Sequence, residues 1–391
     1  MSVSRSQWRI SLIAPTLVSQ AGHEWDYTAV LLACCATSHL QRRCFCPAAD
    51  IRTPFAVEPA GHRWPLPGYS VATRCSRSPL SRLRRCLSRR ALERNYACLF
   101  RTSSAHDLWF IHTAPLDVMK SVVAAWATAP AGVLVAMVRT LPCPHTPAFR
   151  HFLLWLIHAH QIPGIVFVTD STLVTREILT YANISLPVVP IPLTGGQLPH
   201  RPGAIFAYLG GRRRDKGFNC LPRCVAAISA AERGARFLIQ CYRHPDDAVD
   251  PEVERAAAEL AAMPRVTLIP TALSESGFTN LMRDSAVLLL PYDENVYRYG
   301  SSGIAALAIA SGRSLLHRSL PWVTWCQQQF GLSRIVSDAF CDPDTVVAAA
   351  RRAISLSYEP LSDAERRFRA WHRPETLLAS LCDLASHVDR P

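Results

Sequence analysis

The sequence predicts an α/β protein built from two doubly wound parallel-sheet domains that face a cleft. Three observations predict it. Short runs of Val, Ile, Leu and Phe recur without polar alternation, as strands covered on both faces do. Segments of helical length separate these runs almost throughout. One polar stretch rich in Gly and Pro, Thr194 to Gly203, splits the alternation into two blocks, and a composition of that kind reads as a linker.

The first block carries strand candidates at Arg9–Ala14, Leu108–Thr113, Val133–Arg139, Ile165–Thr169 and Val188–Ile191. The second carries Ile205–Leu209, Arg236–Gln240, Val266–Ile269, Val287–Leu290 and Ser314–His317, with helical segments at Glu252–Ala262, Ser274–Asp284, Ile304–Ala310 and Asp344–Ser355. The domains are therefore expected at residues 1–193 and 204–360, joined by 194–203, with a last helical segment over 361–391. In open parallel sheets ligands bind beyond the carboxyl ends of the strands, so functional motifs belong just after strands.

Of 391 residues, 49% are hydrophobic and 18% charged, which excludes wholesale disorder. The formal net charge is +12. Lys120 and Lys216 are the lysines among 42 basic residues, a skew that reflects base composition more than site-by-site selection. A basic balance favours an anionic partner without choosing among nucleic acid, membrane and phosphorylated substrate. The 14 cysteines show no paired C-x2-C spacing, so no metal site is expected, and they read as small buried hydrophobes in a reducing cytoplasm. The N-terminus has Arg5, Gln7 and Arg9 where a signal peptide requires an apolar run. Ser121 to Val138, broken by Pro130 and Gly132, reads as helix, turn and strand rather than a membrane span.

Between Pro65 and Phe100, Arg77, Arg82, Arg84, Arg85, Arg89, Arg90 and Arg94 interleave with Leu80, Leu83, Leu87 and Leu92, giving one apolar stripe and one arginine face. A solvated surface helix and a basic amphipathic helix held on anionic lipid both fit. Nucleic acid fits less well, since no interleaved aromatics or nucleic-acid-binding module accompany the charge.

The densest signal follows the linker. Strand Ile205–Leu209 runs into Gly210-Gly211-Arg212-Arg213-Arg214-Asp215-Lys216-Gly217-Phe218. Glycines let backbone amides approach a ligand, a following helix N-terminus favours an anion, and arginine and lysine add fixed charge. Together they describe a diphosphate site, and a lysine in so arginine-rich a chain is unlike drift. A second strand, Val287–Leu290, ends at Pro291-Tyr292 and leads through Tyr297 to Ser301-Ser302-Gly303-Ile304, where a helix is expected to start near Ser301 or Ser302. Two such loops in one domain reinforce each other. A solvated basic turn and an ordinary strand–loop–helix connection are the plainer alternatives.

The pattern Tyr-Leu-Gly-Gly-x-Arg-x-x-Lys-Gly, then Asp-Ser-Ala-Val-x-Leu-Leu-Pro-Tyr and Ser-Ser-Gly-Ile, resembles the second Rossmann-like domain of GT-B glycosyltransferases, nearest to the retaining family 4 or group 1 type of bacteria. The resemblance is good over about residues 204–318. It implies donor-diphosphate binding by Gly210, Gly211, Arg213, Lys216 and Gly217, and a donor sugar and nucleotide loop of Tyr292, Tyr297, Ser301, Ser302, Gly303 and Ile304. It implies no obligatory cofactor or metal, a nucleotide-diphosphate sugar as donor, and a final helix crossing back to the first domain. One departure stands out. The acidic residue by which the family commonly holds the ribose falls on Leu307, the matching earlier position is Tyr299, and Glu294 is out of register. Asp246-Asp247, in a Pro-flanked turn, reads as turn chemistry rather than a metal signature.

In the first domain, Gly22-His23 follows the first strand and resembles the Gly-His loop of such enzymes; capping of a helix Trp25–Leu40 is the alternative role of His23. His112 ends a strand, as a contact to the transferred sugar or as a core histidine. Arg139 and Asp170 follow two further strands as acceptor-side candidates, Asp170 also fitting a helix N-cap. The resulting expectation is a retaining glycosyltransferase with His112 and His23 as catalytic candidates. It would act on a glycan or lipid-linked acceptor in cell-surface polysaccharide or glycoconjugate synthesis, in the cytoplasm or peripherally at the inner membrane face. A weak or inactive sugar-nucleotide-binding module is the alternative, motivated by Leu307.

Overall fold

A computed structural model describes residues 8–15, 17, 23–46, 57–59, 79–193, 198–199, 202–243, 247–337, 340 and 342–388, with the backbone alone at 23–24, 57–59, 79–88 and 275. The chain divides into two compact units, one of Met1–Pro192 with Pro374–Pro391 and one of Leu193–Arg373.

The first unit runs β1 (Arg9–Ile13), α1 (His23–Thr37), β2 (Gln41–Cys46), β3 (Val57–Pro59), α2 (Pro79–Phe100), β4 (Asp107–Ile111), α3 (Leu116–Thr128), β5 (Val133–Met137), α4 (Pro147–Ala159), β6 (Ile165–Val168) and α5 (Thr172–Ala182). Its six strands pair in parallel in the order β3-β2-β1-β4-β5-β6. Every residue of β4 and β5 is buried, which is why neither strand alternates in sequence.

The second unit runs β7 (Ile205–Tyr208), a 3₁₀ turn (Phe218–Cys220), α6 (Leu221–Ala231), β8 (Arg236–Gln240), α7 (Pro251–Ala261), β9 (Val266–Ile269), α8 (Glu275–Asp284), β10 (Val287–Leu290), α9 (Gly303–Ala310), β11 (Ser314–His317), α10 (Pro321–Phe330), β12 (Ile335–Val336), α11 (Pro343–Ser357) and α12 (Asp363–Trp371). Its sheet is also parallel, in the order β12-β11-β10-β7-β8-β9. Phe206, Tyr208, Phe237, Ile239, Val287 and Leu289 form one core with Leu221, Val225 and Ile228 of α6, Leu260 of α7 and Ala350 of α11. Helices α8 and α9 pack on β7 and β11. Both units are thus Rossmann-like.

Each strand order reverses direction once, between β1 and β4 in the first sheet and between β7 and β10 in the second. The carboxyl ends of a strand pair at such a switch point leave a crevice, because their crossover connections depart to opposite faces. In the second unit the two loops that follow this pair are those containing Gly210–Gly217 and Tyr292–Ser302.

Several expectations are corrected. Val188–Ile191 forms no strand; Val188 makes an isolated bridge to Thr169. Pro187, Pro190 and Pro192 lack the donors a ladder requires. Strands β4 and β5 end before His112 and Arg139, which lie in the loops beyond. The 361–391 segment holds two helices broken at Pro374. Helix α12 begins with a Ser362–Glu365 capping box and stays in the second unit. Helix α13 (Pro374–Ser386) belongs to the first, where it packs on α1 and β5 through a face that includes Leu377, Leu378, Leu381 and Cys382. Of the linker, residues 194–197, 200 and 201 lie outside the described residues. Pro199 is held through its carbonyl by the buried Arg313, at 2.8 Å.

In the described half of α2, Leu92, Tyr96 and Phe100 are buried while Arg89, Arg90 and Arg94 are exposed. The apolar stripe packs the helix on α3. The remainder of the basic stretch, residues 65–78 and the side chains of 79–88, lies outside the described residues. Among the described residues no helix is long and apolar enough to cross a membrane.

Candidate functional site

The loop after β7 is shaped by its glycines and pinned from below. Gly210 has φ +150° and Gly217 φ +70°, conformations that side chains resist. The stem of Lys216 lies across Gly210: a Cβ there would come within 3.2 Å of Lys216 Cδ and 3.1 Å of its Nζ. Gly210 N–H donates to the buried Gln240 Oε1 at 2.9 Å. Tyr208, fully buried, donates to the Gly211 carbonyl at 3.1 Å, and the Lys216 carbonyl is 3.4 Å from the same hydroxyl. Burial pushes the Tyr208 phenol well above its ordinary range, so it remains a donor.

The four cations of this loop differ in their commitments. Arg212 pairs with Glu254 at 3.1 Å, and Arg214 with Glu252 at 2.8 Å and Asp250 at 3.6 Å, so both are anchored to the start of α7. Arg213 forks onto Asp215, its Nε donating to Oδ1 at 2.8 Å and its Nη2 to Oδ2. Lys216 is half-buried, and no described residue accepts from its ammonium. Burial, reinforced by Arg213 and opposed by the nearby Asp215 and Asp247, lowers its pKa.

The second loop joins the first. Asp293 N–H donates to the Asp215 carbonyl at 2.9 Å and Tyr297 Oη to Asp215 Oδ2 at 3.3 Å. Tyr292, buried, lies with its ring 4.7 Å from that of Tyr297, the two tilted by 40°. Ser302 is the N-cap of α9, its Oγ accepting from Ala305 N–H at 3.2 Å. The helix starts at Gly303-Ile304, one residue beyond that cap, and Ser301 precedes it half-exposed. The positive end of the α9 dipole therefore follows the same strand pair as Lys216. Leu307 is partly exposed on α9.

In the first unit a separate cluster forms beyond β4, β5 and β6. His112 is fully buried, its Nε2 2.9 Å from Thr28 Oγ1 and its Nδ1 3.0 Å from Thr113 Oγ1, with its ring stacked at 4.4 Å on Tyr27. Burial, aided by Arg139, depresses its pKa to about 3, so the ring is neutral. Both nitrogens are engaged by hydroxyls, the arrangement of a satisfied core histidine. Arg139 donates through Nε to Asp170 Oδ2 at 2.8 Å and through Nη1 to Thr113 Oγ1 at 3.2 Å. Asp170 is consequently not the cap of α5; Ser171 occupies that position. Gly22 lies outside the described residues. His23 opens α1, with its side chain outside them.

Asp215, Tyr208, Gln240, Tyr27, Thr28 and Thr113 complete these sites, and the sequence alone does not single them out. Asp215 alone carries a signal, an acid inside a basic loop. Among the described residues no group of three His, Cys, Asp or Glu side chains is placed to hold a metal ion, and the described cysteines are free.

Two Rossmann-like parallel-sheet domains define the GT-B fold, and solved structures of glycosyltransferases share it along the whole chain. The sequence itself matches no family model and no curated protein. A sucrose-phosphate synthase from Thermosynechococcus elongatus aligns with a TM-score of 0.65 at 13% identity, covering 96% of this chain and 98% of that one. An α,α-trehalose-phosphate synthase (UDP-forming) from Burkholderia xenovorans, in complex with glucose-6-phosphate, gives 0.66 at 13% identity over 96% and 98%. The Escherichia coli trehalose-6-phosphate structure bound with UDP-2-fluoro glucose gives 0.67 at 11% identity over 98% and 100%. At such identities the likeness is one of fold.

Proposed function

We propose that this chain is a glycosyltransferase of the retaining type that takes its sugar from a nucleotide diphosphate. The observation that carries this reading is Lys216, a half-buried ammonium without a described acceptor, on one of the two loops that follow the switch-point strand pair, the other loop leading to the capped start of α9. Cleavage of the donor releases a nucleoside diphosphate, and the developing charge would fall on Lys216 and Arg213 of the Gly210–Gly217 loop. Preorganised charge of this kind lowers the barrier more than any other effect expected in such a reaction, and it requires no protein-held metal or other cofactor. Tyr292, Tyr297, Ser301, Ser302, Gly303 and Ile304 would line the donor sugar and nucleotide. The Arg139–Asp170 pair and the His112 cluster would serve the first unit, His112 as a neutral positioning group rather than an acid or base, since its nitrogens are occupied.

The acceptor in this reading is a glycan or lipid-linked sugar in surface polysaccharide or glycoconjugate synthesis. The arginines of α2 would hold the enzyme at an anionic inner-membrane surface. Sugar phosphates are the other acceptor class to assay, because the Burkholderia xenovorans structure carries one. A binding module without turnover is the second reading, favoured by Leu307 where the resembled family carries an acid.

The test is incubation with UDP-, ADP-, GDP- and dTDP-sugars, following thermal shift and release of nucleoside diphosphate. Release supports the transferase, and a shift without release supports the module. Lys216→Ala should abolish either response, and an unchanged response in that variant overturns the site.

A further inference from the structure

The basic loop carries its own anion. Asp215 lies two residues from Arg213 and takes its guanidinium fork edge-on, through Nε and Nη2. That fork is the geometry by which arginine recognises a phosphate, so a carboxylate on it holds the place of two phosphate oxygens. Both partners remain accessible, the Arg213 side chain 44% exposed and that of Asp215 24% exposed. The exchange therefore needs no opening of the core. Asp215 is held independently of Arg213: its carbonyl accepts from Asp293 N–H and its Oδ2 from Tyr297 Oη. The backbone thus stays anchored, and the carboxylate keeps the Tyr297 hydroxyl, after Arg213 leaves it. Arg212 and Arg214, by contrast, are bound to the acids of α7 and are not released by the same event.

We infer that Asp215 is an internal counter-anion, displaced from Arg213 when the diphosphate of a donor or product binds. This deepens the proposed diphosphate site and rests on it. Displacement sets affinity by difference: the ligand gains the Arg213 fork only by breaking an existing charged pair. Asp215 then governs how readily the product nucleoside diphosphate departs, because the carboxylate waits beside the guanidinium to retake it.

Calorimetric titration of the full chain with UDP, ADP, GDP, dTDP and inorganic pyrophosphate tests this. Asp215→Asn, which keeps shape and removes charge, should tighten binding of the diphosphates by about tenfold, since a charged acceptor is exchanged for a weaker neutral one. Asp215→Ala should tighten it in the same direction and serves if the asparagine variant fails to fold. In an Arg213→Ala background the gain should shrink to less than about twofold, since nothing is left to displace. Binding by the wild type with equal or weaker binding by both Asp215 variants overturns the counter-anion and leaves the diphosphate site standing. A full gain that persists without Arg213 also overturns it. A wild type that binds none of the five probes overturns both.

Discussion

Gly217 and Pro291 are in backbone contact: a Cβ on Gly217 would lie 1.9 Å from the Pro291 carbonyl oxygen. Gly217 also has φ +70°. The two loops at the second switch point are therefore clamped at one glycine. Gly217→Ala should cost about 2–4 kcal/mol, from left-handed strain and a forced separation of the loops. It should also abolish the thermal shift with UDP. Gly234→Ala, where a Cβ meets nothing within 4 Å, is the control and should change stability by less than about 0.5 kcal/mol. Urea denaturation of both variants checks the contrast.

Leu307 offers a gain-of-function test. It is partly exposed on α9, in the place where the resembled family holds the ribose with an acid. Leu307→Glu would add a charge-assisted acceptor worth about 1.5 kcal/mol or more, a tenfold tightening, for a ribonucleoside diphosphate. Calorimetry with UDP measures it. An unchanged Kd would show that the ribose lies elsewhere.

His112 should make the protein acid-sensitive. Its folded pKa is about 3 against an ordinary 6.5, because burial, and then Arg139, disfavours the charged ring. Between those values the unfolded chain binds the extra proton, so stability rises with pH across that window and is fully present above it. From pH 7.5 to pH 5 the loss from this one group should be about 2 kcal/mol. His112→Gln, which can still meet Thr28 and Thr113, should lose that much less over the same interval in urea titrations.

Arg139 and Asp170 should behave as a unit. The Asp170 side chain is fully buried and that of Arg139 is 14% exposed. Arg139→Met should destabilise by about 3 kcal/mol or more, because it strips a buried carboxylate of its cation. Adding Asp170→Asn should restore much of that loss. Additive losses in the double-mutant cycle would mean that the two do not depend on each other.

Much of this architecture was legible in the chain itself. Apolar runs such as Val287–Leu290 and Val133–Met137 are buried on both faces, and their shortness between helix-length segments marks them as strands of a covered parallel sheet. The edges were harder. β2 begins Gln41-Arg42-Arg43, polar because its first residues are exposed or half-exposed. β3 and β12 have 3 and 2 residues, too few for any period to register. Val188–Ile191 misled because hydropathy ignores the missing proline donors. At the site, Ser302 as cap and the Gly210–Gly217 loop were readable, since glycines and caps act locally. The Arg213–Asp215 fork was local too, but its meaning depended on Arg212 and Arg214 being claimed by acids about 40 residues downstream, which no spacing rule connects. Asp170 read as a cap because Arg139, 31 residues earlier, becomes its neighbour through strand order alone.

The lysine lying over Gly210 has a consequence for how this chain can change. In a chain that replaces lysine with arginine almost everywhere, position 216 is closed to that drift by shape. The slim stem fits the space a missing Cβ leaves, and a broad planar guanidinium would not follow the same path. A side chain at position 210 would press on the lysine stem at 3.1–3.2 Å and strain a backbone at φ +150°. The two residues are coupled: relatives of this protein should tend to change them together, because alanine at 210 would push the lysine off its present path.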